Sequence, residues 1–252
     1  MTVDLEGRHD RASSSIGDPD KNAAWTALGA IAVYNVVQNT AISERAYVPA
    51  NLAATAGLLA LARRSGSTWS ELGFDPAGLR PGLRLGAQAG AGAAVAVAAA
   101  IASRAARKFL LDDRANGHTS RSAAYRTAIR FPIGTALFEE VAFRGVLEGL
   151  WRRSSGPMTA RVVSAVSFGV WHLFPTYRFF PEMALGNDGA RRSERLLAAL
   201  GGAVVTGVAG VGFSWLRGRP DSIAAPWLAH ASYNSLAYLA ARRAWQLEPR
   251  PS

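Results

Sequence analysis

Three short motifs place ionisable side chains inside stretches that are otherwise apolar enough to sit in a bilayer. They are Glu139–Arg144, Phe168–His172 and His230–Asn234. A charged residue at the centre of a membrane helix costs about 2.5 to 3.5 kcal/mol on translocon scales, so intramembrane Glu, Arg and His are functional candidates that face a wet cavity. Carboxylates and imidazoles are also common general acids and bases.

The first motif combines an ion pair with a separate carboxylate. Positions four apart share one face of a helix, so Glu140, Arg144 and Glu148 line one stripe, whereas Glu139 points about 100° away. We expect Arg144 to hold Glu140 and to leave Glu139 as the general base or acid. The alternative is an ordinary solvated face at a helix end, which the surrounding apolar residues disfavour.

The other two motifs each place one histidine in an apolar run. Phe168 lies four residues before His172, so its ring can pack on the same face and orient the imidazole. Asn234 shares the face of His230, and the two side chains could donate to one oxyanion. The alternatives are a core histidine with satisfied hydrogen bonds and an asparagine that bonds between helices.

Together these groups indicate amide hydrolysis. A carboxylate and a histidine can activate water, and a histidine and an asparagine can stabilise the tetrahedral intermediate. The absence of cysteine removes thiol chemistry. Ser167, Ser232 and Ser235 lie near the motifs, but none stands in a Gly-x-Ser-x-Gly turn, so a serine mechanism is disfavoured.

Hydrophobic blocks must position these motifs. Each block is nearly free of charge for about 15 to 23 residues, the length needed to cross roughly 30 Å of hydrocarbon. The blocks are 23–42, 48–62, 83–103, 159–175, 194–216 and 222–241. We add 122–150, whose early turns carry Arg126 and Arg130 at the interface. The predicted fold is all-α: a polytopic transmembrane bundle of about seven spans around a polar intramembrane active-site cavity.

The blocks also define the domain organisation. Residues 1–22 are polar and predict a disordered tail without the pattern of a cleaved signal peptide. Residues 23–245 predict a single transmembrane helical domain, with the motifs in 122–241. Glycines in 83–103, such as Gly86 and Gly90, indicate close helix packing, because no lysine follows them as in a phosphate loop.

The net charge of +10 does not indicate nucleic-acid binding. Most basic residues flank the hydrophobic blocks, as Arg152, Arg153 and Arg217 do. Such residues are typical anchors that contact anionic headgroups. We therefore expect the bilayer as a partner, in a multi-pass protein of the plasma membrane.

The three motifs resemble the signature of the CPBP family of intramembrane proteases, which includes type II CAAX prenyl endopeptidases and bacteriocin-processing or self-immunity proteins. Glu-Glu-x-x-x-Arg matches 139–144, Phe-x-x-x-His matches 168–172 and His-x-x-x-Asn matches 230–234. The resemblance implies that Glu139 and His172 activate water and that His230 and Asn234 form the oxyanion site. It gives Glu140 and Arg144 a supporting role.

Cofactor and substrate stay open at this point. The family has been described both as metalloproteases and as glutamate-dependent proteases, and Glu139, His172 and His230 could bind zinc if a metal is used. The expected substrate is a peptide or a membrane-anchored protein, with or without a prenyl group. The competing interpretations are a catalytically idle immunity or scaffold protein and a proton-coupled carrier.

Overall fold

The computed structural model describes residues 19–183 and 189–247, which form helices and turns without any strand. An isolated antiparallel bridge joins Phe74 to Ser222. The predicted all-α class is therefore confirmed for the described residues. Most of the predicted tail, residues 1–18, lies outside them, and Pro19 already begins the first helix. The division into a tail and one helical domain stays a prediction.

The described part of the chain contains ten α-helices, two π-helices and four 3₁₀ helices of three residues each. The first half contains α1 Pro19–Thr40, α2 Tyr47–Arg64, α3 Pro76–Ala102 and α4 Arg104–Arg107. The motif-bearing half begins with α5 Ser120–Tyr125, π1 Arg126–Leu137, α6 Phe138–Glu140, π2 Val141–Leu147 and α7 Glu148–Trp171. It continues with α8 Leu173–Phe179, α9 Arg192–Gly218 and α10 Ala224–Leu247.

Gly156 divides α7 into two parts. Its φ of 82° lies in the left-handed region, which glycine adopts without a steric penalty, and Pro157 then begins a new helical stretch. The continuous helical run from α5 to Ser155 therefore carries the first motif. The second part of α7, residues 157–171, leads to His172. These two parts correspond to the predicted blocks 122–150 and 159–175.

Two helices, α3 and α9, are long and apolar enough to cross a bilayer by length and composition within the described ranges. The other predicted spans do not meet that criterion. Polar side chains interrupt them; α1, for example, carries Asn35, Gln38 and Asn39. A bundle of about seven spans is thus not established by the helices alone.

The outer face of α9 is apolar. Leu197, Val204, Val205 and Val208 are between 67% and 69% exposed. Soluble monomers rarely leave such a contiguous apolar band in water. The band is what a helix in contact with lipid presents.

Glycines spaced four residues apart bring α3 against α10. The four are buried along one face: Gly78, Gly82, Gly86 and Gly90. A Cβ atom added at Gly86 would lie 2.7 Å from the backbone oxygen of Ala225. At Gly92 it would meet nothing within 4 Å. The close approach of α3 and α10 depends on Gly86, as the predicted packing face indicated. Gly92 makes no such close contact.

Arg217 at the end of α9 is 1% exposed, so the expectation that it anchors in headgroups is wrong. Its Nε donates to the backbone oxygen of Arg144 at 3.1 Å, and its Nη2 donates to that of Glu71 at 2.7 Å. It also pairs with Asp221. Buried backbone oxygens need donors, and Arg217 supplies them to the motif helix and to the loop after α2.

We predict that Gly86→Ala destabilises the protein by about 1 to 3 kcal/mol, the usual range for overpacking a tight contact. The added methyl group meets backbone, which has little freedom to move aside. Unfolding in detergent, followed by circular dichroism, measures the loss. Gly92→Ala is the matched control and should be neutral or slightly stabilising, because alanine has the higher helix propensity. Equal stabilities for the two variants would contradict the packing role of Gly86.

Candidate active site

Glu139 lies on α6 and is 5% exposed. Its Oε1 accepts a hydrogen bond from the Trp171 indole at 3.3 Å. Its Oε2 lies 3.8 Å from Nε2 of His230 and 4.0 Å from Nε2 of His172. The structure thus brings two predicted histidines, from two other helical segments, close to one carboxylate oxygen of Glu139.

Glu140 points to the other side of the same helix and connects two motifs. Its Oε1 accepts from Nη1 of Arg144 at 3.3 Å and from Nδ1 of His230 at 2.7 Å. The Glu140 and Arg144 side chains are fully buried. Glu140 and Arg144 are paired, as their four-residue spacing predicted. The hydrogen bond from His230 to Glu140 was not predicted. His230 therefore stands between the two glutamates, with Nδ1 on Glu140 and Nε2 towards Glu139.

Aromatic rings enclose the Arg144 guanidinium. Its central carbon lies 4.1 Å from the centroid of Phe168 and 5.2 Å from that of Phe213, distances at which cation–π attraction operates. Phe213 also stacks on His230, with 4.9 Å between ring centroids. No motif marked Phe213 in the sequence. The sequence of α9 did not indicate this role, because Phe213 is one of many apolar residues in that helix.

His172 follows the last residue of α7 and is held by Phe168, as predicted. The rings meet edge to face at 4.7 Å. In addition, Nδ1 of His172 lies 2.8 Å from the Phe168 backbone oxygen, which can only accept a hydrogen bond. Nδ1 therefore carries a proton, and Nε2 is the ring atom that lies towards Glu139; in the neutral form of the ring it presents a lone pair there. The 4.0 Å between these groups exceeds a direct hydrogen bond and suits two groups that share one water.

The catalytic candidates differ in their access to a cavity of about 970 Å³. Glu139, His172 and Asn234 line it, whereas His230 lies behind Glu139. Among the described residues, the Asn234 side chain has no hydrogen-bond partner, so its amide is available to a ligand. The hydrogen bond to another helix, considered as its alternative role, is absent from this part of the chain.

The first half of the chain builds part of the site, although the sequence indicated only generic spans there. Asn35 of α1 donates to the Trp171 backbone oxygen at 2.6 Å and so fixes the end of α7 beside His172. The Tyr47 hydroxyl lies 3.1 Å from Oγ1 of Thr135, and both residues line the cavity. The sequence did carry a signal for this role: amide side chains such as Asn35 stand inside the first predicted span, 23–42.

Arginines surround the cavity near α5. Arg126 and Arg130 line it, and burial lowers the pKa of nearby His118, an effect that the positive charge of Arg126 increases. The neutral His118 ring lies 2.8 Å from the hydroxyl of Tyr238, another cavity residue. This end of the cavity therefore carries two arginines, of which Arg126 pairs with Glu44, whereas the other end carries Glu139.

The proposed zinc ligands do not have the spacing of a metal site. Two ligands at about 2.1 Å from one tetrahedral zinc are about 3.4 Å apart. The Glu139 oxygen is 3.8 Å from His230 and 4.0 Å from His172. Across residues 19–183 and 189–247, no group of three His, Cys, Asp or Glu side chains is arranged to hold a metal. The residues as placed do not fit the metal.

Residues 122–236 match a family model described as Type II CAAX prenyl endopeptidase Rce1-like. This region, a little under half of the chain, is therefore similar to that family. The match contains all three motifs and confirms the resemblance. No curated protein and no solved structure matches the chain.

The similarity to the Rce1-like family supports the coarse functional prediction. The family is membrane-embedded and consists of CAAX-type proteases, which accords with the two apolar helices α3 and α9. Its substrates are membrane-associated proteins or peptides. Competing assignments outside the protease class, such as a proton-coupled carrier, receive no support from this match.

We predict strong coupling between Glu140 and Arg144. Arg144→Met should destabilise the protein by about 3 to 5 kcal/mol, because it leaves a buried carboxylate without its partner. The double variant Glu140→Gln/Arg144→Met should lose less than the sum of the single losses, since neither charge remains. Unfolding of all four proteins in the same detergent measures the coupling. Additive losses would show that the two side chains do not interact.

Proposed function

We propose that the chain is an intramembrane endopeptidase in which Glu139 and His172 activate the attacking water. The observation that carries this proposal is the approach of two imidazole Nε2 atoms to one Glu139 oxygen beside the cavity. Glu139 Oε2 has no hydrogen bond within the described residues, although it is buried. A buried acceptor of this kind is suited to bind and polarise a water molecule.

In this proposal Glu139 is the only group that accepts and returns a proton during the reaction. Glu139 takes a proton from water, and the resulting hydroxide forms a C–O bond with the substrate carbonyl carbon. The His172 Nε2 lone pair accepts the second hydrogen bond of the water and aligns it. When the C–N bond breaks, the protonated Glu139 gives its proton to the leaving amine, so that the carboxylate is restored.

In this proposal Asn234 and His230 supply the charge stabilisation, Asn234 by direct contact in the cavity and His230 from its position behind Glu139. The Asn234 amide donates from the cavity wall to the developing oxyanion. His230 can donate from Nε2 only when its ring is doubly protonated, because Nδ1 already donates to Glu140. The positive ring would then lie between Glu139 and Glu140. Glu140 and Arg144 are positioning residues, since they act on the reaction through His230.

The setting and the substrate follow from the same site. We propose a multi-pass protein of about seven spans in the plasma membrane, with a peptide or a membrane-anchored protein, prenylated or not, entering the cavity. The apolar outer face of α9 supports the membrane setting. A catalytically idle immunity or scaffold protein of the same family is the alternative, and the assembly of Glu139, His172, His230 and Asn234 argues against it.

Glu139→Gln should lower kcat by about 10² to 10⁴, the range for removing a general base. Cleavage of a library of prenylated and unprenylated peptides by purified, detergent-solubilised protein measures the change. Glu148→Gln is the matched control, because Glu148 is a buried carboxylate on α7 that pairs with Arg152. It should affect stability without a comparable loss of kcat.

Two outcomes of that experiment would change the assignment. A folded wild type that cleaves no peptide would favour the idle immunity or scaffold protein. Activity that a chelator removes and zinc restores would replace the water-only mechanism with a metal held by Glu139, His172 and His230. We expect the chelator to leave the rate unchanged.

Asn234→Ala should lower kcat by about 10² to 10³ with little change in KM, as expected for a donor that acts on the transition state. Steady-state kinetics on one cleaved peptide separates the two constants. Ser235→Ala is the neighbouring control, since Ser235 donates to the Thr127 backbone oxygen and does not line the cavity. A loss confined to KM would assign Asn234 to substrate binding instead.

A further inference from the structure

The second part of α7, residues 157–171, packs closely against α9. A Cβ atom added at Gly169 would lie 2.5 Å from the backbone oxygen of Ala203, and one added at Gly210 would lie 3.1 Å from the Cα atom of Ala165. Small residues of this kind let two helices approach closely in a membrane. We call this contact the α7–α9 seam; its residues are Ala165, Gly169, Ala203, Gly207 and Gly210.

Apolar side chains form a continuous surface along the outside of the seam. Val162 and Val166 of α7 and Val208 and Val211 of α9 are between 53% and 68% exposed. Val166, Val208 and Val211 each directly follow a seam residue, so each lies about 100° round its helix from the contact. The pairing of 169 with 203 and of 165 with 210 shows that the helices run antiparallel, which puts both rows of valines on the same side of the seam.

Two arginines lie together at one end of this surface. Nη2 of Arg161 would be 3.0 Å from a Cβ atom added at Gly218, the residue that precedes Arg219. Both arginines are exposed, and neither has an ion pair or a side-chain hydrogen bond within the described ranges. The Arg219 guanidinium carbon lies 4.8 Å from the ring centroid of Trp215. Stacking of this kind leaves the N–H edge of the guanidinium open to a ligand.

Trp215 indicates the depth of the two arginines in the bilayer. It is half exposed, and tryptophan is enriched at the level of the headgroups, where its ring contacts both apolar and polar surroundings. Eleven residues of α7 separate Arg161 from His172, roughly 16 Å at 1.5 Å per residue. The two arginines therefore lie at the membrane face away from His172 and apart from the catalytic cavity.

The arginines and the valines together fit an amphipathic anion. A guanidinium matches a phosphate group with paired hydrogen bonds, and basic sites between membrane helices bind anionic headgroups. The valine surface begins next to the arginines and continues towards the middle of the bilayer, where acyl chains lie. A soluble phosphate would use only the arginines, whereas a phospholipid uses both parts of the surface.

We propose that the α7–α9 seam binds one anionic phospholipid, whose phosphate contacts Arg161 and Arg219 and whose acyl chains lie along the valines. The bound lipid connects α9 to the helix that leads to His172 without entering the cavity. This site goes beyond the proposed function, because it does not require the chain to cut a peptide.

Lipid titration followed by native mass spectrometry tests the site. Delipidated protein in detergent should bind the first molecule of dioleoyl phosphatidylglycerol about tenfold to thirtyfold more tightly than dioleoyl phosphatidylcholine, the effect expected of two arginines at a headgroup. The double variant Arg161→Gln/Arg219→Gln should lower the affinity for phosphatidylglycerol to that for phosphatidylcholine. Equal affinities of the wild type for the two lipids would overturn the inference.

A matched double variant separates the seam from the general positive charge of this membrane face. Arg64→Gln/Arg84→Gln also removes two exposed arginines at the same end of the bundle, from α2 and α3, and should leave the preference unchanged. A loss as large as that of the seam variant would show diffuse attraction and no site. Glycerol 3-phosphate should not displace the lipid, and displacement at comparable concentration would reduce the site to one for soluble phosphate.

Photo-crosslinking locates the acyl chains. Phosphatidylglycerol with a diazirine in its acyl chain should label peptides from 157–171 and from α9 in the wild type, with much weaker labelling in the seam variant. Labelling confined to other helices would contradict the assignment. Light scattering on the same sample tests the other occupant: a dimer in which the seam stays unlabelled would assign the surface to a second copy of the chain and overturn the lipid site.

Discussion

The ion pair between Glu140 and Arg144 is the interaction on which the site depends. Both side chains are fully buried, and burial of two charges is weak evidence for added stability, because desolvation opposes their attraction. The structure gives the pair a different use: Glu140 also accepts from His230, and Arg144 lies against Phe168 and Phe213. One buried charge pair thereby sets the rotation of the motif helix relative to α7, α9 and α10.

Local spacing made the short-range part of this arrangement predictable. A separation of four residues on a helix indicated the contacts between Glu140 and Arg144 and between Phe168 and His172, and both are present. The long-range part came from the motifs only as a resemblance, because the spacing within one helix does not say how helices pack. That Glu139 lies between His172 and His230 depends on the turn at Gly156 and on the glycine contacts of α3 with α10.

The contributions that the sequence did not indicate are single residues with ordinary neighbours. Trp171 donates to Glu139, Asn35 holds the end of α7, and Arg217 donates to two backbone oxygens. Each role is a tertiary contact between residues far apart in the chain, and each residue type also has a common surface or packing role. The sequence did not predict the π-helical turns either. Residues spaced by four and five positions, such as Arg126, Arg130 and Thr135, do not all fall on one face of an α-helix.

The pairing of charges explains why two groups stand out. Around the motif helix, most charges that reach the interior have a partner close in space: Glu140 with Arg144, Glu148 with Arg152, and Arg126 with Glu44. Burial enforces such pairing, since an isolated charge in a poorly solvated interior is strongly destabilising. Two groups of one cavity depart from this pattern: among the described residues, Glu139 has no lysine or arginine partner and Arg130 has no carboxylate partner. This departure distinguishes Glu139 and Arg130 from the structural ion pairs around them and makes them the charged groups of this cavity to test for contact with water or a ligand.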